Sequence, residues 1–118
     1  MFINFSNHPS AKWSEKQIAE AKKYGEIADI PFPDVSPYIS EEEIDNIALK
    51  YTKEIISKKP DAVMCQGEYT LSFNVAMRLK KEGITVLCAC SERCTIEIAD
   101  NENNMRESLF TFVRFRKY

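Results

Sequence analysis

Ala62-Val63-Met64-Cys65-Gln66-Gly67-Glu68-Tyr69-Thr70 is the stretch on which the fold reading turns. Its first four residues form an unbroken apolar run, as expected of a strand covered on both faces. Gln66-Gly67-Glu68 then interrupts the run with polar groups and one conformationally free residue. From Tyr69 the pattern predicts a helix to Glu82, stopped by Gly83 in the left-handed position that helix ends favour. A strand feeding a glycine-containing turn and then a helix sets backbone N–H groups and side chains at a strand's carboxyl end. Open α/β sheets bind ligands there.

Upstream, the chain repeats the same strand-then-helix grammar twice. Phe2 to Ser6 reads as a first strand, closed by the polar loop Ser6-Asn7-His8-Pro9-Ser10. Ser14 with Gln17 forms a capping box, Trp13 and Ile18 a hydrophobic staple, and the helix they open runs to about Tyr24, where Gly25 ends it. Ile27 to Phe32 is a second strand, and Pro31, Pro33 and Pro37 then make an irregular extended connection rather than more sheet. Ser40 with Glu43 and Ile39 with Ile44 repeat the cap and the staple. Ile44, Ile47, Ala48, Tyr51 and Ile55 keep helical spacing, so one helix face packs on a sheet.

Downstream, Thr85 to Cys90 reads as a fourth buried strand running out into Ser91-Glu92-Arg93. Cys94 to Ile98 and Leu109 to Phe115 read as two more strands around a polar turn near Asp100 to Asn104, a hairpin. On the last of these, Phe110, Phe112, Arg114, Arg116 and Tyr118 alternate onto one face and Val113 and Phe115 onto the other. Three strand–helix alternations and a closing hairpin predict one Rossmann-like α/β domain over residues 1–118. It is a three-layer sandwich on a mostly parallel sheet of about six strands. The sheet order starts 2-1-3-4, which places the switch point between the first and third strands. There the Ser6–Ser10 loop faces the Gln66–Thr70 turn.

Composition narrows the function. At 118 residues the chain has room for one core, and its net charge of −2 argues against a general duplex-DNA binder. No apolar run approaches the roughly 20 residues a membrane span needs. Met1-Phe2-Ile3-Asn4-Phe5-Ser6 has neither basic flank nor cleavage site, so the reading is of a cytoplasmic protein. Four cysteines, Cys65, Cys88, Cys90 and Cys94, lack paired zinc spacing, and Cys88 and Cys90 alternate along a buried strand as small hydrophobes. There is no Walker loop, no G-x-G-x-x-G, no G-x-S-x-G and no metal array of recognisable spacing.

The remaining candidates cluster on one rim. His8, the sole histidine, is either a general acid/base near neutral pH or a loop-bracing imidazole. Ser6, Asn7 and Ser10 offer hydrogen bonds to a ligand, and are also ordinary turn residues. Glu68 is equally readable as a base or as a cap on its helix. Gln66, Gly67 and Thr70 contact a ligand only if their turn is a site. Arg93, beside Ser91, matches phosphate oxygens in a bidentate fork, against the alternative of a salt bridge. Arg114, Arg116 and Lys117 form the one basic cluster.

Taken as a set, Asn7-His8 before Ser14-x-Lys16-Gln17, Gln66-Gly67-Glu68 before a helix with Phe73, Ser91-Glu92-Arg93, and the closing Phe112-Val113-Arg114-Phe115-Arg116-Lys117-Tyr118 resemble a known family. It is that of the small stand-alone CRISPR-associated proteins with a CARF-like Rossmann fold found beside type III systems. The resemblance implies a homodimer that binds a cyclic oligoadenylate second messenger across its two-fold axis. Degrading members, the ring nucleases, cut the ring to linear products with a 2′,3′-cyclic phosphate and so switch off the antiviral response. Such cleavage uses the ligand's own 2′-OH, and requires no metal and no cofactor. By that logic Arg93 stabilises the phosphate, His8 and Glu68 are candidates for proton transfer, and Ser6, Asn7, Ser10, Gln66, Gly67, Thr70 and Ser91 position the ring. Two alternatives stand beside it: a non-catalytic module that senses or sequesters the nucleotide, and a cysteine enzyme built on Cys65.

Overall fold

The computed structural model describes residues 1–99 and 104–118, and the expected hairpin turn at 100–103 lies outside the described residues. Five strands form one sheet: β1 (Phe2–Ser6), β2 (Ile27–Pro31), β3 (Ala62–Gln66), β4 (Thr85–Ala99) and β5 (Asn104–Lys117). The order is β2-β1-β3-β4-β5, with the first four parallel and β5 antiparallel to β4. The expected order and switch point therefore hold.

Three helices cover the sheet: α1 (Glu15–Lys22), α2 (Glu41–Ser57) and α3 (Tyr69–Lys81). Period-2 alternation in the short strands sorts them into layers. Phe2 on β1 and Ala62 and Met64 on β3 point to α1, where they meet Ala21 and Ile18. Ile3, Phe5, Val63 and Cys65 point the other way, onto Ile44, Ala48 and Ile55 of α2 and Leu71 and Val75 of α3. Both expected serine caps form. The Ser14 hydroxyl accepts from Gln17 N–H at 3.2 Å, and the Ser40 hydroxyl accepts from Glu43 N–H at 3.2 Å. Gly83 ends α3 at a φ of 76°, in the left-handed region.

Four expectations are overturned. The sheet has five strands rather than six, because Thr85–Cys90 and Cys94–Ile98 belong to one fifteen-residue strand. Ser91-Glu92-Arg93 is consequently not a loop leaving the sheet edge. It pairs with Phe112, Thr111 and Phe110 in the middle of a two-stranded ribbon. The alternation on β5 also breaks. Cys90 faces Arg114 while Ser91 faces Phe112, so Val113 is an extra residue, a β-bulge that reverses the phase of everything before it. Phe112 thereby joins Phe115 on one face, their rings 4.9 Å apart. Cys88 and Cys90 are half-buried rather than enclosed, and Cys94 is exposed.

The sheet opens at its carboxyl edge. β3 and β4 pair only from Ala62↔Thr85 to Met64↔Leu87. Beyond that point side chains take over the ladder. The Gln66 side-chain oxygen accepts from Ala89 N–H at 2.5 Å, and the Tyr118 hydroxyl donates to the Cys65 carbonyl at 2.7 Å. Burial pushes the Tyr118 phenol up to about 12, so it stays a donor across the neutral range. Ala89 N–H and the Cys65 carbonyl are thus satisfied without closing the split.

Candidate functional site

The split and the β1–α1 loop bound a cleft of about 720 Å³ on the α1 side of the sheet, at the carboxyl ends of β1, β3 and β4. Pockets of this size accommodate small ligands. The structure brings together, of the residues expected from sequence, Ser6, Asn7, His8, Gln66, Gly67 and Ser91. Lys12 and Ser14 from the β1–α1 loop, Gln17 from α1 and Met64 from β3 add to the lining, and Phe110 and Phe112 from the ribbon.

The loop after β1 is fixed by a buried polar network. Asn4 is 1% exposed although it sits in an otherwise apolar strand. Its Nδ2 donates to the His8 carbonyl at 2.9 Å and to Asp29 Oδ1 at 3.1 Å. Its Oδ1 accepts from the Ser6 hydroxyl at 2.6 Å. The Ser6 oxygen in turn accepts from His8 N–H at 3.1 Å. The Trp13 indole donates to the same His8 carbonyl at 3.0 Å, and Asp29 Oδ2 accepts from Ser10 N–H at 3.0 Å. Every bond holding His8 runs through its backbone. The exposed imidazole is left to point where the loop aims it, and the loop is anchored by the buried Asn4, Ser6 and Trp13 together with the exposed Asp29. Ser6 therefore braces the loop as well as lining the cleft, and Ser10 begins a short 3-10 turn (Ser10–Lys12) tied to Asp29.

Glu68 and Thr70 are not brought to this cleft. Glu68 is the N-cap of α3, its carboxylate accepting from Thr70 N–H at 3.0 Å, Leu71 N–H at 2.9 Å and the Thr70 hydroxyl at 2.7 Å. Slight burial works to raise its carboxyl. The Leu71 and Thr70 N–H groups and the Thr70 hydroxyl outweigh that and hold it below the usual carboxylate range. Both residues line a separate cavity of about 460 Å³ between α2 and α3, with Ile44, Asp45 and Asn74. Of the two roles open to Glu68, the geometry supplies the cap.

Arg93 is not among the residues that line the cleft; it lies on the ribbon beside Phe110, which does. It is the Cα partner of Phe110, and its guanidinium sits 5.9 Å from that ring's centroid. Lys12 is the cation that lines the cleft itself. Cys65 faces the opposite layer, fully buried, and burial pushes its thiol up to about 12. A thiol so far from ionisation, on the wrong side of the sheet, is a poor nucleophile, and the cysteine-enzyme alternative loses its site.

Gly67 has a steric role that its sequence context does not reveal. A Cβ there would fall 2.5 Å from two carbons of the Phe32 ring, which is itself buried and tilted on Phe5 at 4.7 Å. Since that ring has no room to retreat, Gly67→Ala is expected to lower stability by about 1–3 kcal/mol. A urea midpoint equal to the wild type's would contradict this packing.

Among the sequence signals, Asn4 was available as a polar residue inside an apolar strand, and Lys12 only as one of many lysines. Phe110 and Phe112 could not be placed without the bulge. Among the described residues, no group of three or more His, Cys, Asp or Glu side chains comes together to hold a metal ion. No helix is long and apolar enough to cross a membrane.

A family model described as "Uncharacterized protein MJ1673 family" matches residues 1–116. No curated protein and no solved structure matches the chain.

Proposed function

The chain belongs to the MJ1673 family, and from its fold and cleft we propose that it is a CARF-like Rossmann domain acting as a metal-independent ring nuclease on cyclic oligoadenylate, with cyclic tetra-adenylate as the substrate. In this reading it works as a homodimer in the cytoplasm and ends type III CRISPR signalling. The observation that supports it best is the fixed Asn7–His8 loop facing Gln66, Gly67 and Ser91 across a cleft at the sheet's carboxyl edge. A two-fold pair of chains presents such a rim twice, which suits a symmetric ring.

The chemistry asks little of the protein beyond position and charge. The 2′-oxygen of one nucleotide attacks the adjacent phosphorus, forming a new O–P bond as the bond to the 5′-oxygen breaks. The 2′-hydroxyl loses a proton and the departing 5′-oxygen gains one. His8 is the group in the cleft suited to carry either transfer. Lys12 in the cleft lining, with Arg93 on the adjoining ribbon, supplies positive charge for the phosphate. Asn7, Gln66 and Ser91 hold the ribose and base edges.

The test is direct. Purified protein incubated with labelled cyclic tetra-adenylate in EDTA should yield linear di-adenylate ending in a 2′,3′-cyclic phosphate. Ligand recovered intact from the protein after long incubation would replace cleavage by sequestration. Neither binding nor cleavage would remove the oligoadenylate reading altogether.

A further inference from the structure

A connected series of aromatic rings runs from the core to the cleft. Phe2 and Trp13 stand 6.1 Å apart, Phe2 and Phe115 5.2 Å, and Phe115 and Phe112 4.9 Å. Phe112, at the end of this series, is only 6% exposed. Phe110, two residues along the same ribbon face, also lines the cleft but is 69% exposed. The Val113 bulge produces the arrangement. Without the extra residue, strict alternation would set Phe110 and Phe112 on the face opposite Phe115. The bulge turns both rings towards the ligand space, one rooted in the core and one open.

The open ring is electronically set as well. The Arg93 guanidinium, 5.9 Å from the Phe110 centroid, is at cation–π distance. A flat ring with an accessible surface, a cation against it and polar neighbours such as Gln66 and Ser91 is the arrangement by which proteins stack single-stranded bases. We propose that Phe110 is a stacking platform for one nucleobase of the ligand, built into the cleft wall by the Val113 bulge and steadied by Arg93. The identity of the base as adenine rests on the oligoadenylate reading given above.

The experiment compares two probes that lack a 2′-OH and so cannot be cleaved by the proposed route: tetra-2′-deoxyadenylate and an abasic deoxyribose-phosphate oligomer of the same length. Wild-type protein should bind the adenylate roughly tenfold or more tightly than the abasic chain. Phe110→Ala should abolish that preference, and Phe110→Trp should keep it, with its indole emission quenched on binding. Circular dichroism of each variant checks that the fold is kept. A preference that survives Phe110→Ala, or a wild type that does not discriminate between the probes, overturns the platform. The two failures are separable. Loss of preference in Phe110→Ala without any cleavage of cyclic tetra-adenylate leaves the platform and removes the nuclease. Cleavage with a preference untouched by Phe110→Ala does the reverse.

Discussion

His8→Ala is expected to lower turnover of cyclic tetra-adenylate by about a hundredfold, the lower end of what a positioned acid or base contributes. Stability should be unchanged. The reason for expecting both lies in how the loop is held. The His8 carbonyl receives the Asn4 amide and the Trp13 indole, and its N–H donates to Ser6. Alanine keeps all of these groups. It removes only the imidazole, which is exposed and lines the cleft. Single-turnover rates with saturating substrate, set beside urea melts, separate the outcomes. A variant that cleaves at the wild-type rate takes the proton-transfer role away from His8. A variant that is slow only because it unfolds would mean that the imidazole braces the loop.

Much of this fold could be read from the chain because its signals are local. Ser14 and Ser40 cap the helices the sequence assigned to them, and Gly83 stops α3 where a left-handed residue is needed. The unbroken apolar run of β3 and the mostly apolar β1 fit strands buried on both faces, and the crossover rules then limit the sheet order. What was misread depends on contacts that no local pattern carries. Ser91-Glu92-Arg93 looks like a loop because it is polar on both faces. Past Leu87, however, β4 has left β3, and a ribbon there has no need of apolar residues on both sides. The bulge at Val113 is one residue of mismatch between two strands, invisible in either strand alone, yet it reassigns Phe110 and Phe112 from one face to the other. Glu68 shows a different limit. A carboxylate at a helix start satisfies the cap and the catalytic reading equally, and only the bonds from Thr70 and Leu71 decide between them.

The other large effect is expected at Asn4, where stability and activity fail together. Asn4→Leu keeps the branched shape and the number of heavy atoms, with somewhat larger methyl groups, but removes one acceptor and two donors from a site that is 1% exposed. The losses are uneven. The His8 carbonyl keeps the Trp13 indole, Asp29 keeps the Ser10 N–H, and the Ser6 oxygen still accepts from His8 N–H, whereas the Ser6 O–H retains as acceptor only the His8 carbonyl at 3.3 Å. Each buried polar group left short of a partner costs about 1–3 kcal/mol, and with this partial compensation the total should be about 2–4 kcal/mol. Asn4→Asp should fare no better, since it exchanges the Nδ2 donor for an oxygen beside the Asp29 carboxylate. Turnover should fall in both variants because the loop that aims His8 has lost its anchor, and displacements of about 1 Å cost on the order of a hundredfold in rate. His8→Ala moves activity without stability, whereas these variants move both. If Asn4→Leu melts with the wild type and cleaves at its rate, Asn4 is not what positions the loop, and the Trp13 indole and Ser6 hydroxyl must hold the His8 carbonyl without it.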